Sequence, residues 1–194
     1  MVNFIEDFIK KIQKPNMIGI EIGTWTGESL LQYLPIIKNN DGKMYVIDIF
    51  EGNPTVSGEH AFNPENSEIV YNQFLENTKE YKDYITIIKE SSSSAFRNIN
   101  EQVDFIFIDG DHRYSSIRND IENYMPILKD DGIMLGHDFA YGFYDINNES
   151  FDLIETDFGH YGVNCALFTI FGYDFEIYEK NSEIWYKTKN NSII

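Results

Sequence analysis

Two short runs bring together side chains able to move protons or hold cations. Asp109, Asp111 and His112 stand in "FIDGDHRY" (107–114), and His137 and Asp138 close "GIMLGHDF" (132–139). Carboxylates and imidazoles are the groups that ionise or coordinate near neutral pH. Each run ends an apolar stretch that reads as a buried strand, so two adjacent strands would carry all five side chains to one rim. The plainer alternative is a loop after a buried strand, with Asp111 capping the next helix.

A second motif lies near the start. "IEIGTWTGES" (20–29) runs from an apolar strand into Gly23 and Gly27 and then into a helical pattern. Glycines at such a turn let the backbone approach a ligand without a Cβ clash, and the helix N-terminus points at the same place. The spacing is neither the G-x-G-x-x-G of dinucleotide folds nor a phosphate loop. Tight strand–helix turns use glycine for purely structural reasons as well. The next strand ends in Asp48, whose carboxylate can accept two hydrogen bonds from a ribose diol. Glu21 is a charge inside an apolar strand, so it should reach backbone amides or a cation near the turn. "KESSSSAF" (89–96) places Glu90, Ser91 and Ser92 where an adenine amino group would be met, or supplies a serine-rich helix cap.

The elements that must position these groups are legible as alternating patterns. Strand-like runs cover 17–23, 43–50, 84–89, 103–109, 132–139, 174–180 and 183–189, and helical patterns lie at 28–38, about 65–80, 115–128 and roughly 160–171. The first five strands are near-continuous apolar runs, as in parallel strands covered on both faces. This predicts one doubly wound α/β domain ending in an antiparallel hairpin at the sheet edge. Residues 1–16 form a short amphipathic helix stopped before Pro15, 17–189 the core, and 190–194 a tail. Two long loops, 51–68 and 140–159, emerge at the carboxyl ends of strands, where open α/β sheets bind ligands; they read as lid or substrate wall. Phe139, Tyr141, Phe143 and Tyr144 in or beside the second would pack on an acceptor or fold back onto the core. His60 and His160, in or near these loops, read as exposed surface histidines.

At 194 residues the chain has room for one full core. A net charge of −17 and the lack of a basic stripe exclude nucleic acid as a partner. No apolar run is long enough for a membrane span, and Cys165 alone makes neither a disulfide framework nor a zinc cluster, which fits a reducing cytoplasm.

"IEIGTWTGES", "VIDIF" and "VDFIFIDGDHRYSSIRNDIENYMPILKDDGIMLGHDF" together resemble the successive motifs of class I S-adenosylmethionine-dependent methyltransferases. The resemblance is nearest to the small-molecule O-methyltransferase branch related to the macrocin and catechol enzymes, and it spans about residues 17–189. It implies a Rossmann-like seven-stranded sheet in the order 3-2-1-4-5-7-6, with strand seven antiparallel. It also implies a cofactor, S-adenosylmethionine, held by Glu21, Gly23, Thr24, Trp25, Gly27, Asp48, Ser91, Ser92 and Asp109. In metal-dependent relatives the acid aligned with Asp109, and a pair of oxygen ligands aligned with His137 and Asp138, bind magnesium. His137 departs from that oxygen-only pattern and suits manganese, iron or zinc better. Either Asp109, His137 and Asp138 hold a divalent cation, or the site is metal-free with His137 or His112 as base. The expected reaction is O-methylation of a small-molecule hydroxyl, a sugar or a phenol. A nicotinamide-dependent oxidoreductase on a similar sheet is disfavoured by the missing glycine fingerprint; a non-catalytic adenosylmethionine-binding protein is the other alternative. The N-terminal cap of many relatives is nearly absent, which leaves the two loops, or a second subunit of a homo-oligomer, to close the substrate cavity.

Overall fold

The computed structural model describes residues 4–52, 61, 63–140, 160–179 and 182–190. Helix α1 (Phe4–Ile12) repeats apolar residues at helical spacing and buries Ile5, Phe8 and Ile9; Glu6 and Lys10 pair at 2.7 Å on its outer face. The chain then alternates strand and helix. The strands are β1 (Ile18–Ile22), β2 (Lys43–Ile47), β3 (Ile85–Ile88), β4 (Val103–Ile108), β5 (Leu128–Gly136), β6 (Glu176–Ile177) and β7 (Trp185–Thr188). Between them lie α2 (Glu28–Asn39), α3 (Ser67–Thr78), α4 (Ser92–Ala95), α5 (Tyr114–Tyr124) and α6 (Tyr161–Phe171).

All seven strands form one sheet in the order 3-2-1-4-5-7-6. β1 pairs in parallel with β2 and β4, as β2 does with β3 and β4 with β5; β7 runs antiparallel to β5 and β6. This is the Rossmann-like sheet, with its antiparallel strand seven, that the sequence resemblance implied. The apolar runs are explained by cover on both faces. Along β4, Phe105 and Phe107 join the core under α1, α2 and α3, while Ile106 and Ile108 join the core under α5 and α6. At the amino end of the sheet, Asp104 accepts from the Ile18 amide at 2.7 Å and pairs with Lys14 at 2.9 Å and Lys129 at 2.8 Å, fixing the chain's entry into β1.

Several boundaries move for local reasons. α5 stops at Tyr124 instead of 128, because Pro126 lacks an amide proton and residues 125–127 tighten into a 3-10 turn. β5 begins at Leu128 and carries a register irregularity against β4 between Val103 and Phe105, so it starts earlier than its apolar run suggests. It also ends at Gly136, and His137 and Asp138 lie just beyond the strand. β2 ends at Ile47, three residues before Phe50, which takes a left-handed φ of 58°. Among the described residues no helix is long and apolar enough to cross a membrane. Cys165 is buried in α6.

Candidate active site

β1 has neighbours on both sides that follow it in different directions through the chain, and at such a switch point a parallel sheet opens a crevice beyond its carboxyl ends. Here the crevice measures about 1420 Å³ and is walled by the β1, β2, β3, β4 and β5 ends, by α1 and by residues 182–184. Phe4 and Ile5 of α1 line it, so the short N-terminal helix contributes to the wall.

The glycine turn after β1 is shaped by the protein itself. Gly23 has φ 81°, and a Cβ there would sit 2.3 Å from the Asp109 carbonyl oxygen. Gly27 has φ 88° and would meet Thr78 and Phe74 at 3.2–3.3 Å. Gly23 is therefore required by neighbouring backbone, and Gly27 chiefly by its left-handed φ. Asp48 locks the turn: its carboxylate accepts from the Thr24 and Trp25 amides at 2.7 and 2.8 Å and from the Phe50 amide at 2.6 Å. Trp25 sits in the left-handed region at φ 50°. Gly23, Thr24, Trp25 and Asp48 all border the crevice.

Glu21 lies beneath this turn, fully buried and away from the crevice lining. It accepts hydrogen bonds from the Ser29 hydroxyl at 2.6 Å and from the Tyr33 hydroxyl, both on α2. Burial pushes its pKa up to about 7 against the lowering effect of those hydroxyls. At the far end of the crevice Glu90, Ser91 and Ser92 line the wall. Ser91 occupies the cap position of α4 without a side-chain capping bond. Asp120, missed in the sequence, also borders this end; it is 2% exposed, and burial raises its pKa to about 7. An acid within the buried stripe Ile117, Ile121, Tyr124 of α5 was the available signal.

Beyond β4 and β5 the chemistry-bearing groups converge on Asp138. His112 Nε2 lies 2.9 Å from Asp138 Oδ2, and His137 Nδ1 lies 3.1 Å from Asp138 Oδ1. Asp109 Oδ1 is 3.9 Å from both imidazoles. Burial would raise the Asp138 pKa, but the two imidazole hydrogen bonds outweigh it and hold the group below the usual carboxylate range. Asp109 moves the other way, to about 6, through burial and the neighbouring Asp138 charge. Burial opposes charge on His137, yet the bond to Asp138 and the charge of Asp109 raise its pKa to about 9.

His160 is the clearest departure from the sequence reading. It caps α6 at φ 60°, its Nδ1 is 3.7 Å from Asp138 Oδ1, and its ring lies against that of His112 with centroids 5.3 Å apart. A third histidine thus joins the cluster, because α6 docks its first turn on the loop after β4. Asp111, by contrast, serves the start of α5: it accepts from the Arg113 amide at 3.1 Å, the Ser116 hydroxyl at 2.8 Å and the Arg113 guanidinium. Phe139 packs with Phe168 and Phe175 in the core. His60, Tyr141, Phe143 and Tyr144 lie outside the described residues, as do most of the two long loops.

The arrangement offers two donor sets for a divalent cation, Asp109–His137–Asp138 and His112–Asp138–His160, each with its ligand atoms within 4.8 Å of one another. It equally offers imidazoles oriented by a carboxylate for proton transfer.

Residues 20–139 match the family described as a methyltransferase domain. A stretch of 122 residues is 25% identical to the uncharacterized protein y4gI of Sinorhizobium fredii; it covers 61% of this chain but only 13% of that relative's length. Among solved structures, a putative caffeoyl-CoA O-methyltransferase from Staphylococcus aureus aligns with a TM-score of 0.66 at 21% identity, over 95% of this chain and 80% of its own. The SAH-bound methyltransferase PaMTH1 of Podospora anserina aligns with a TM-score of 0.65 at 11% identity, over 94% and 75%. At these identities the structural likenesses speak for the fold.

Proposed function

The chain belongs to the methyltransferase domain family, and from that premise we propose that it transfers a methyl group from S-adenosylmethionine to a hydroxyl of a small molecule, a sugar or a phenol. The observation that carries this reading is a single crevice bordered at one end by the Asp48-locked turn and at the other by the Asp109, His137 and Asp138 cluster.

In this reading the amino-acid end and ribose of the cofactor lie along Gly23, Thr24, Trp25 and Asp48. Asp48 Oδ1 accepts one backbone amide and retains a lone pair for a ribose hydroxyl, whereas Oδ2 already accepts two. Ser91 and Ser92 meet the adenine. Gly27 and Glu21 act from beneath, by shaping the turn.

S-adenosylmethionine, when bound, would supply an activated methyl whose carbon–sulfur bond breaks as the bond to the acceptor oxygen forms, leaving a neutral thioether. The protein must align the oxygen, exclude water and take its proton. In this reading His137 takes it. Asp138 binds its Nδ1, and its Nε2 faces the rim near Glu183 at 4.0 Å. His112 turns its Nε2 inward to Asp138 and is the less exposed of the two, at 12% against 38%. In the metal-dependent alternative, the donors of Asp109, His137 and Asp138 would hold a divalent cation, and that ion, in place of a free His137, would lower the pKa of the acceptor hydroxyl. The reaction belongs to the cytoplasm, with neither nucleic acid nor membrane as partner.

The test is transfer of labelled methyl from S-adenosylmethionine to a panel of sugars and catechols, comparing the wild type with Asp109→Ala. The reading expects turnover to fall by about 100-fold or more in the variant, with affinity for adenosylhomocysteine retained. Equal turnover in both proteins would remove Asp109 from the chemistry, and affinity without any turnover would favour a non-catalytic binding protein.

A further inference from the structure

We propose that His160 is a metal ligand, and that His112, Asp138 and His160 form a nitrogen-rich site for a divalent transition-metal cation. Such an ion's part in methyl transfer rests on the reading above, but its binding does not.

The geometry comes first. Ligand atoms on one ion at about 2.0–2.2 Å are separated from each other by roughly 3–3.5 Å. His112 Nε2 and Asp138 Oδ2 are 2.9 Å apart, and His160 Nδ1 stands 3.7 Å from Asp138 Oδ1. All three residues present ligand atoms within 4.8 Å of one another, so closing on an ion needs side-chain adjustment alone.

The backbone holds the trio in place. Asp138 and His160 both adopt left-handed φ values, 64° and 60°, which residues with a Cβ rarely take. Such outliers persist where the surroundings over-determine them. Here the Phe139 amide donates to the Glu183 carbonyl at 3.0 Å, and the Asn164 side chain brackets Ala140 through both its amide and carbonyl at 3.1 and 2.8 Å. On the other side, a Cβ on Gly162 would sit 2.1 Å from the His112 carbonyl oxygen, so the first turn of α6 is pressed against the very loop that carries His112.

The donor chemistry then selects the ion. Magnesium demands oxygen ligands and sheds water reluctantly, whereas two imidazoles and a carboxylate suit manganese, iron, cobalt or zinc. Occupancy of this trio also spares His137, whose ring would otherwise be drawn into the alternative set with Asp109. One site then holds the cation while its neighbour handles the proton, with Asp138 shared between them.

The test uses the full chain, stripped of metal with a chelator and titrated with cobalt(II) at neutral pH while visible absorption is followed. The wild type should take up one cobalt with imidazole-type bands, unaffected by millimolar magnesium. His160→Gln should weaken binding by more than about tenfold, since even partners outside the coordination shell cost that much. His160→Cys restores a donor and should show a thiolate-to-cobalt band in the near ultraviolet. The proposal is overturned if His160→Gln binds cobalt like the wild type, if His160→Cys shows no such band, or if the wild type takes no cobalt. Adenosylhomocysteine affinity, measured separately on the wild type, decides the transferase reading, so failure of the metal site with cofactor binding intact is recognisable.

Discussion

Asp48 holds the turn after β1, and the proposed function gives it a ligand as well. Three backbone amides converge on its carboxylate, so Asp48→Ala leaves donors unsatisfied in the wall of the crevice. The variant should lose about 1–3 kcal/mol of stability to urea, together with its grip on the cofactor. Glu21 provides a pH signature. Its pKa is raised from 4.5 to about 7 in the fold, so the native state binds the proton more tightly than the unfolded chain does. The associated stability is fully present below pH 4.5 and is lost as pH rises through about 7. Glu21→Gln removes this dependence. Urea titrations from pH 4.5 to 8 should show the variant gaining on the wild type by up to about 3 kcal/mol across that window; a difference that stays flat with pH would refute the assignment.

At the scale of elements, the strand–turn–helix units depend on where a Cβ fits. Gly23→Ala would place a Cβ 2.3 Å from backbone, whereas Gly27→Ala meets side chains at 3.2 Å and carries mainly its left-handed φ. Gly27→Ala should therefore cost about 1–2 kcal/mol, and Gly23→Ala distinctly more; equal thermal shifts would contradict the packing described. The sheet and the five rim residues 109, 111, 112, 137 and 138 were legible in the sequence, because apolar runs covered on both faces and polar residues at their ends are local signals. The role of each polar residue was less so. Asp111 turned to its own helix and Glu21 to α2, since the nearest hydroxyls and amides satisfied them first. His160 was hidden because the link runs through α6 docking on the loop after β4, a contact between segments far apart in the chain. The early start of β5 was hidden by the polar stretch 129–131, which carries no strand pattern.

For the whole molecule, charge separates partners. The net charge is −17, and the crevice lining adds Glu28, Glu90, Asp120 and Glu183 to the acids of the cluster while its Arg113 is paired with Asp111. Polyanions should be repelled. Mobility-shift assays with RNA or DNA at low salt should show no complex, and binding that weakens steeply with added salt would contradict this reading. The decisive measurement is calorimetric titration of the folded chain with adenosylhomocysteine, in parallel with Asp48→Ala. One site per chain is expected, with affinity at least about tenfold weaker in the variant, the equivalent of one lost hydrogen bond to a charged group. A folded wild type that gives no heat, or an Asp48→Ala variant that binds as well as the wild type, would contradict the placement of the cofactor over this rim.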